Sequence, residues 1–257
     1  MEIDPILFLA PLLSIGITSG VALYWWRRYG FRAVVIPLTL FAYFVAIALK
    51  VVVQSFTSVQ AENVFGPISE GFGLYLGLQT VFFEVGLAYV FALIGARKFK
   101  LEKKDAVPFG LGLAFWENGV LLGIYMLLQL LLIYISLLGN SSAAATTYFH
   151  IATSHPSYFY SPAKLLPGIL YGALERISSL LAHTAWGVLV VFAALTKRKI
   201  FLALAFPMGL VDALVPFASI TSIAVFEAGF FLLSAGFILV ALIATRASNE
   251  TPPTQNA

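Results

Sequence analysis

The chain of 257 residues contains no cysteine. Disulfides, thiolate nucleophiles and Cys-ligated metals are therefore excluded. Charge is scarce as well: 11% of residues are Asp, Glu, Lys or Arg against 60% hydrophobic, with a mean hydropathy of +0.94. A soluble domain of this size could not offer water so little polar surface. Histidine is limited to His150, His155 and His183, so no site can draw on more than these imidazoles. The opening Met-Glu-Ile-Asp lacks the basic region and small-residue cleavage site of a secretory signal, so the first apolar run is expected to stay as a helix. The net charge of +3 gives no reason to expect a nucleic-acid partner. No soluble domain and no internal repeat is evident.

What the chain has is long apolar runs. A spanning helix needs roughly 20 mainly apolar residues. Seven such runs are expected at about 6–26, 33–55, 71–95, 106–138, 166–196, 199–217 and 221–245. They lack the short alternating pattern of a barrel, so the fold class is an all-α polytopic membrane protein with seven transmembrane helices. The fourth run is too long for one straight crossing and implies tilt or projection. One transmembrane domain, 1–247, is expected, with a disordered cytoplasmic tail at 248–257 around Pro252 and Pro253. The segment 139–165, rich in Ser, Thr, Tyr and Pro, reads as the largest non-helical stretch.

Basic residues set the expected orientation. Arg27, Arg28, Arg32, Arg97, Lys98, Lys100, Lys103, Lys104, Lys197, Arg198, Lys199 and Arg246 all fall in alternate loops, whereas the opposite side shows Glu2, Asp4, Glu62 and Glu70 with Lys164. The positive-inside rule then places the N-terminus outside and the C-terminus in the cytoplasm of a multi-pass plasma-membrane protein, in contact with membrane lipid.

Against this background the buried ionisable residues stand out. A charge near the bilayer centre costs several kcal/mol unless it meets a partner, a cavity or a metal. At ~1.5 Å rise per residue, Glu84, Glu117, His183 and Asp212 lie at ~17–20 Å from the basic side on four different helices. They are the expected polar site. Arg176, Ser179 and His183, spaced i, i+3, i+7, share one helix face, with Glu175 beside them. Lys50 reads as lying near the outer end of the second helix, where it can snorkel. Glu227 has comparable depth but no motif around it. Gly16/Gly20, Gly73/Gly77, Gly119/Gly123 and Gly168/Gly172 have the spacing of helix-packing pairs.

Two families are resembled. Leu181-Ala182-His183-Thr184-Ala185-Trp186-Gly187-Val188, followed by Lys197-Arg198-Lys199, resembles the fifth helix of the APH subunit of γ-secretase, and Val81-Phe82-Phe83-Glu84-Val85 resembles its third. Ser154-His155-Pro156-Ser157-Tyr158-Phe159-Tyr160 is similar to its Tyr-rich loop. The same segments resemble YhfC-type intramembrane metalloproteases of the CAAX-prenyl protease-like superfamily. Gly110-Leu111-Gly112-Leu113-Ala114-Phe115-Trp116-Glu117 looks like their Gly-x-Gly-His-x-x-x-Glu motif, Glu175-Arg176 with His183 like their Glu-Arg…His helix, and Asp212 like their closing Asp. Leu113 stands where that motif has a histidine, Met208-Gly209 where the last histidine would be, and Leu87 where an arginine follows Glu84.

The second resemblance implies hydrolysis of membrane-embedded peptides, with Glu84, Glu117, Glu175, Arg176 and His183 as catalytic residues. Zinc would be held by Glu117, His183 and Asp212, with Glu84 as base activating the bound water. His150 or His155 could join only if the outer loop folded inward. A glutamate-activated water without metal is the other enzymatic option. The APH resemblance implies instead a noncatalytic scaffold that binds another protein's transmembrane helix. A proton-coupled transporter is a third reading, for which inverted repeats and broken midplane helices would be the signs.

Overall fold

The computed structural model describes residues 3–138 and 142–250. Among them no strand occurs, and seven helices are long and apolar enough to cross a membrane. These are α1 (Pro5–Tyr29), α2 (Val35–Phe65), α3 (Glu70–Lys98), α4 (Lys103–Leu137), α6 (Pro162–Thr196), α7 (Ile200–Ser219) and α8 (Ile223–Glu250), with a shorter α5 (Ser142–Ser154) between α4 and α6. The last helix thus runs into the segment expected to be a tail, and 251–257 lie outside the described residues. The connection expected to lack structure is instead mostly helical, formed by α5 and a 3-10 turn at Pro156–Phe159.

α6 is the axis of the bundle. From Ser178 to Ala194 every residue but the half-buried Leu181 is buried, as expected of a helix that is apolar all round. α1, α3, α4, α7 and α8 pack against it. At its crossing with α4 the backbones nearly touch: a Cβ on Gly187 would overlap Gly110 Cα, and one on Gly110 would come within 2.6 Å of Thr184 Cα. Only glycine on both sides permits that approach.

The four glycine pairs divide evenly. Gly73 and Gly77 seat α3 under Ala213 and Leu210 of α7, and Gly119 and Gly123 seat α4 against Thr18 and Ile15 of α1. A Cβ added at Gly16, Gly20, Gly168 or Gly172 would meet nothing within 4 Å, so these four seat no neighbour. Identical spacing says that two helices can approach, not that they do.

At the basic end, Arg32 clamps the loop between α3 and α4. Its Nη2 donates to Glu102 Oε1 at 2.7 Å, its Nη1 donates to the carbonyls of Phe99 (2.9 Å) and Lys100, and its backbone N–H donates to Asp105 Oδ1 at 3.2 Å.

Candidate active site

Three of the four expected site residues sit on backbone that is not α-helical. Glu84 lies in a π-helical turn of α3 (Thr80–Val85) and Glu117 in another of α4 (Phe115–Ile124). Asp212 lies in the second half of α7, which winds as a 3-10 helix from Leu210 to Ser219 around Pro216. Both departures from regular winding are uncommon at these lengths and recur at functional positions. Widening the π turn stacks Thr80 almost over Glu84, so both side chains reach the same point.

That point is occupied by Lys50. Its Nζ lies 2.7 Å from Thr80 Oγ1, 2.8 Å from Glu84 Oε1 and 2.8 Å from Asp212 Oδ2. Thr80 Oγ1 in turn donates to Asp212 Oδ2 at 2.5 Å. The expectation that Lys50 snorkels at a helix end is therefore wrong. The polar run Gln54-Ser55-Phe56-Thr57-Ser58 suggests that α2 stops there, but the helix continues to Phe65, which leaves Lys50 at its middle. Ser55 and Thr57 satisfy their hydroxyls on the carbonyls of Val52 and Val53, so they need not end a helix.

Beyond Lys50 the polar contacts continue. His183 Nδ1 lies 2.9 Å from the carbonyl oxygen of Ser179. A carbonyl only accepts, so Nδ1 carries a proton and Nε2 faces the acids. Nε2 is 2.9 Å from Glu117 Oε2 and 3.6 Å from Glu84 Oε2, although neither contact is aligned as a hydrogen bond. The 2.9 Å approach makes His183 and Glu117 a pair across the α4–α6 contact. Trp186 packs against the imidazole, with ring centroids 4.2 Å apart.

The far end runs through Asn118, which the sequence did not single out. Ser179 Oγ donates to Glu117 Oε2 (3.1 Å), Asn118 Nδ2 donates to Ser179 Oγ (3.0 Å), and Arg176 Nη1 donates to Asn118 Oδ1 (2.9 Å). Arg176 also pairs with Glu175. A continuous polar path thus crosses the bundle from Asp212 on α7 through α2, α3, α6 and α4.

Glu84, Glu117, Glu175, Arg176, His183 and Asp212 all line one cavity of about 450 Å³, together with Lys50, Tyr43 and Ser179. A second cavity of about 320 Å³, walled by Trp25, Trp26, Phe31 and Trp116, contains no ionisable acid or base and offers no comparable chemistry. His155 stacks on Tyr158, and neither it nor His150 lines the polar cavity. Glu227 is buried on α8 with no hydrogen-bond partner for Oε2, and it too is absent from the lining.

Residues 10–232 match the YhfC intramembrane metalloprotease family. The chain belongs to that family. No curated protein and no solved structure matches it. Membership makes this a multi-pass membrane protein related to intramembrane proteases.

The YhfC name implies a metal, and the donor set can be tested for one. Among the described residues no three His, Cys, Asp or Glu side chains are grouped so as to hold an ion. Glu117 and His183 meet, but Asp212, the third expected ligand, is turned to Lys50 and Thr80. Leu113 and Met208, at the positions of the two missing imidazoles, are both buried in the apolar core. A divalent ion ~4–5 Å from the ammonium would be repelled by roughly 7–8 kcal/mol at an effective dielectric of about 20. The residues present do not fit a metal.

Proposed function

We propose that this YhfC-family protein is an intramembrane hydrolase that cleaves peptide bonds of membrane-embedded segments by glutamate-activated water. The observation that carries this reading is the placement of Glu117. Its carboxylate is 23% exposed, within a polar cavity otherwise enclosed by apolar helices, and is held between His183 Nε2 and Ser179 Oγ. Glu117 takes a proton from water as the oxygen adds to the peptide carbonyl. Arg176 carries five N–H groups, of which the bonds to Asn118 and Glu175 use two, leaving donors for the developing oxyanion. The proton then passes from the Glu117–His183 pair to the departing amine as the C–N bond breaks. Glu84 Oε2 flanks the same imidazole nitrogen at 3.6 Å, the Ser179 carbonyl holds the other, and Glu175 orients Arg176. The basic loops, on the positive-inside rule, face the cytoplasm of the plasma membrane.

The test is cleavage of transmembrane peptides by full-length protein in liposomes, read by mass spectrometry. Glu117→Gln, which keeps the shape and removes the base, is expected to lower kcat by about 10²–10⁴ with little change in KM. Equal turnover by Glu117→Gln would refute the mechanism. If wild type cleaves nothing, while a membrane protein copurifies with it through a transmembrane helix, the noncatalytic scaffold replaces the hydrolase.

A further inference from the structure

We propose that Lys50 is the resident cation of this site, holding together the acids that a bound metal would otherwise have to neutralise. Its removal should turn the cluster into a metal site. The proposal does not depend on hydrolysis, because it concerns only what neutralises the cavity.

An ammonium has three N–H donors. All three of Lys50 are taken, by Thr80 and Glu84 of α3 and Asp212 of α7, at 2.7–2.8 Å. Lys50 therefore has no donor left for a substrate oxyanion, and it acts as a positioning residue. A lysine fills its acceptors with one charge and three bonds. A divalent ion would need close coordination by several ligands and would exclude the ammonium.

The charges facing the cavity support the assignment. Glu84, Glu117, Glu175 and Asp212 are the acids, and Arg176 is engaged by Glu175 and Asn118. Lys50 is thus the cation that contacts Glu84 and Asp212, and its side chain is 16% exposed. Without it these two carboxylates would face each other across the vacated space. His183 Nε2 stands 3.6 Å from Glu84 Oε2, and Glu117 lies just beyond. As they stand, these side chains are not grouped so as to hold an ion; with the ammonium gone, His183, Glu84, Glu117 and Asp212 would border one opening and offer the donor types that zinc takes.

Full-length wild type, His183→Ala, Lys50→Ala and Lys50→Ala/His183→Ala are purified in detergent and dialysed against micromolar zinc. Metal content and thermal midpoint with and without zinc are then measured. Wild type is expected to hold no His183-dependent zinc, and its midpoint should not move with zinc or chelator. Lys50→Ala is expected to melt lower, take up near-stoichiometric zinc and recover its midpoint on doing so. The double variant should lose that uptake. Near-stoichiometric zinc in wild type that His183→Ala removes would overturn the proposal, as would folded Lys50→Ala that takes up none. Should Lys50→Ala not fold, Lys50→Met/Glu84→Gln/Asp212→Asn, which removes the cation with the charges it balances, must fold and stay metal-free. Failure of that variant would overturn the counter-ion role.

Discussion

Replacing Gly187 with alanine should damage chemistry far more than stability. The added methyl would collide with Gly110 Cα at the α4–α6 crossing, and Gly110 is itself held against Thr184. The backbones cannot interpenetrate, so the helices must part by roughly 1 Å, since interaxial distance is set by the side chains at the contact. Overpacking of this sort costs about 1–3 kcal/mol. Alanine recovers ~1 kcal/mol of helix propensity over glycine, leaving a net loss of about 0–2 kcal/mol. The site feels the same shift differently. His183 is one turn before Gly187 and Glu117 two turns after Gly110, so their 2.9 Å contact opens as the helices part. A misplacement of about 1 Å can cost ~10²-fold in rate. Gly168→Ala, on the same helix and within an equally spaced glycine pair, is the control, because a Cβ there meets nothing within 4 Å. The assay pairs thermal midpoint with turnover in liposomes for both variants. Full turnover by Gly187→Ala, or equal damage from Gly168→Ala, would refute the reasoning.

Two further outcomes follow from the polar contacts. Asn118→Ala removes both bonds of a fully buried amide and leaves Arg176 and Ser179 short of a partner. A loss of about 1–3 kcal/mol in detergent unfolding is expected, and an unchanged midpoint would mean that the path through Asn118 is not coupled. Arg32→Ala should loosen the α3–α4 loop and raise its cleavage by added protease. Lys104 and Arg32 hold the Glu102 carboxyl below its usual range. A depressed carboxylate contributes stability above its unfolded pKa and loses it as pH falls through the folded value. The difference between wild type and Arg32→Ala should therefore be present at neutral pH and shrink in acid; a difference that is constant with pH would remove Glu102 from the account.

Much of the site was legible because the membrane makes polarity rare. In a chain with 11% charged residues, each acid or imidazole inside an apolar run is conspicuous. Helical rise then places Glu84, Glu117, His183 and Asp212 at one depth, and the structure sets all of them on one cavity. Lys50 is misread from sequence because the serine, threonine and glutamine after it look like the end of a span. In the fold those hydroxyls close on the helix's own carbonyls and α2 runs on. Asn118 escapes notice because an amide beside a glutamate carries no signal until its partners are known.

Composition and hydropathy by themselves determined the all-helical class and the number of helices long and apolar enough to span a membrane, since these depend on local apolarity and a fixed rise per residue. Only the tertiary structure decided which groups meet. The π turns under Glu84 and Glu117, the 3-10 winding under Asp212 and the glycine contact of α4 with α6 set side-chain directions that no periodicity predicts. Whether an acid faces an imidazole, an ammonium or an ion is a matter of a few ångströms across different helices, and in this fold Lys50 stands between Glu84 and Asp212.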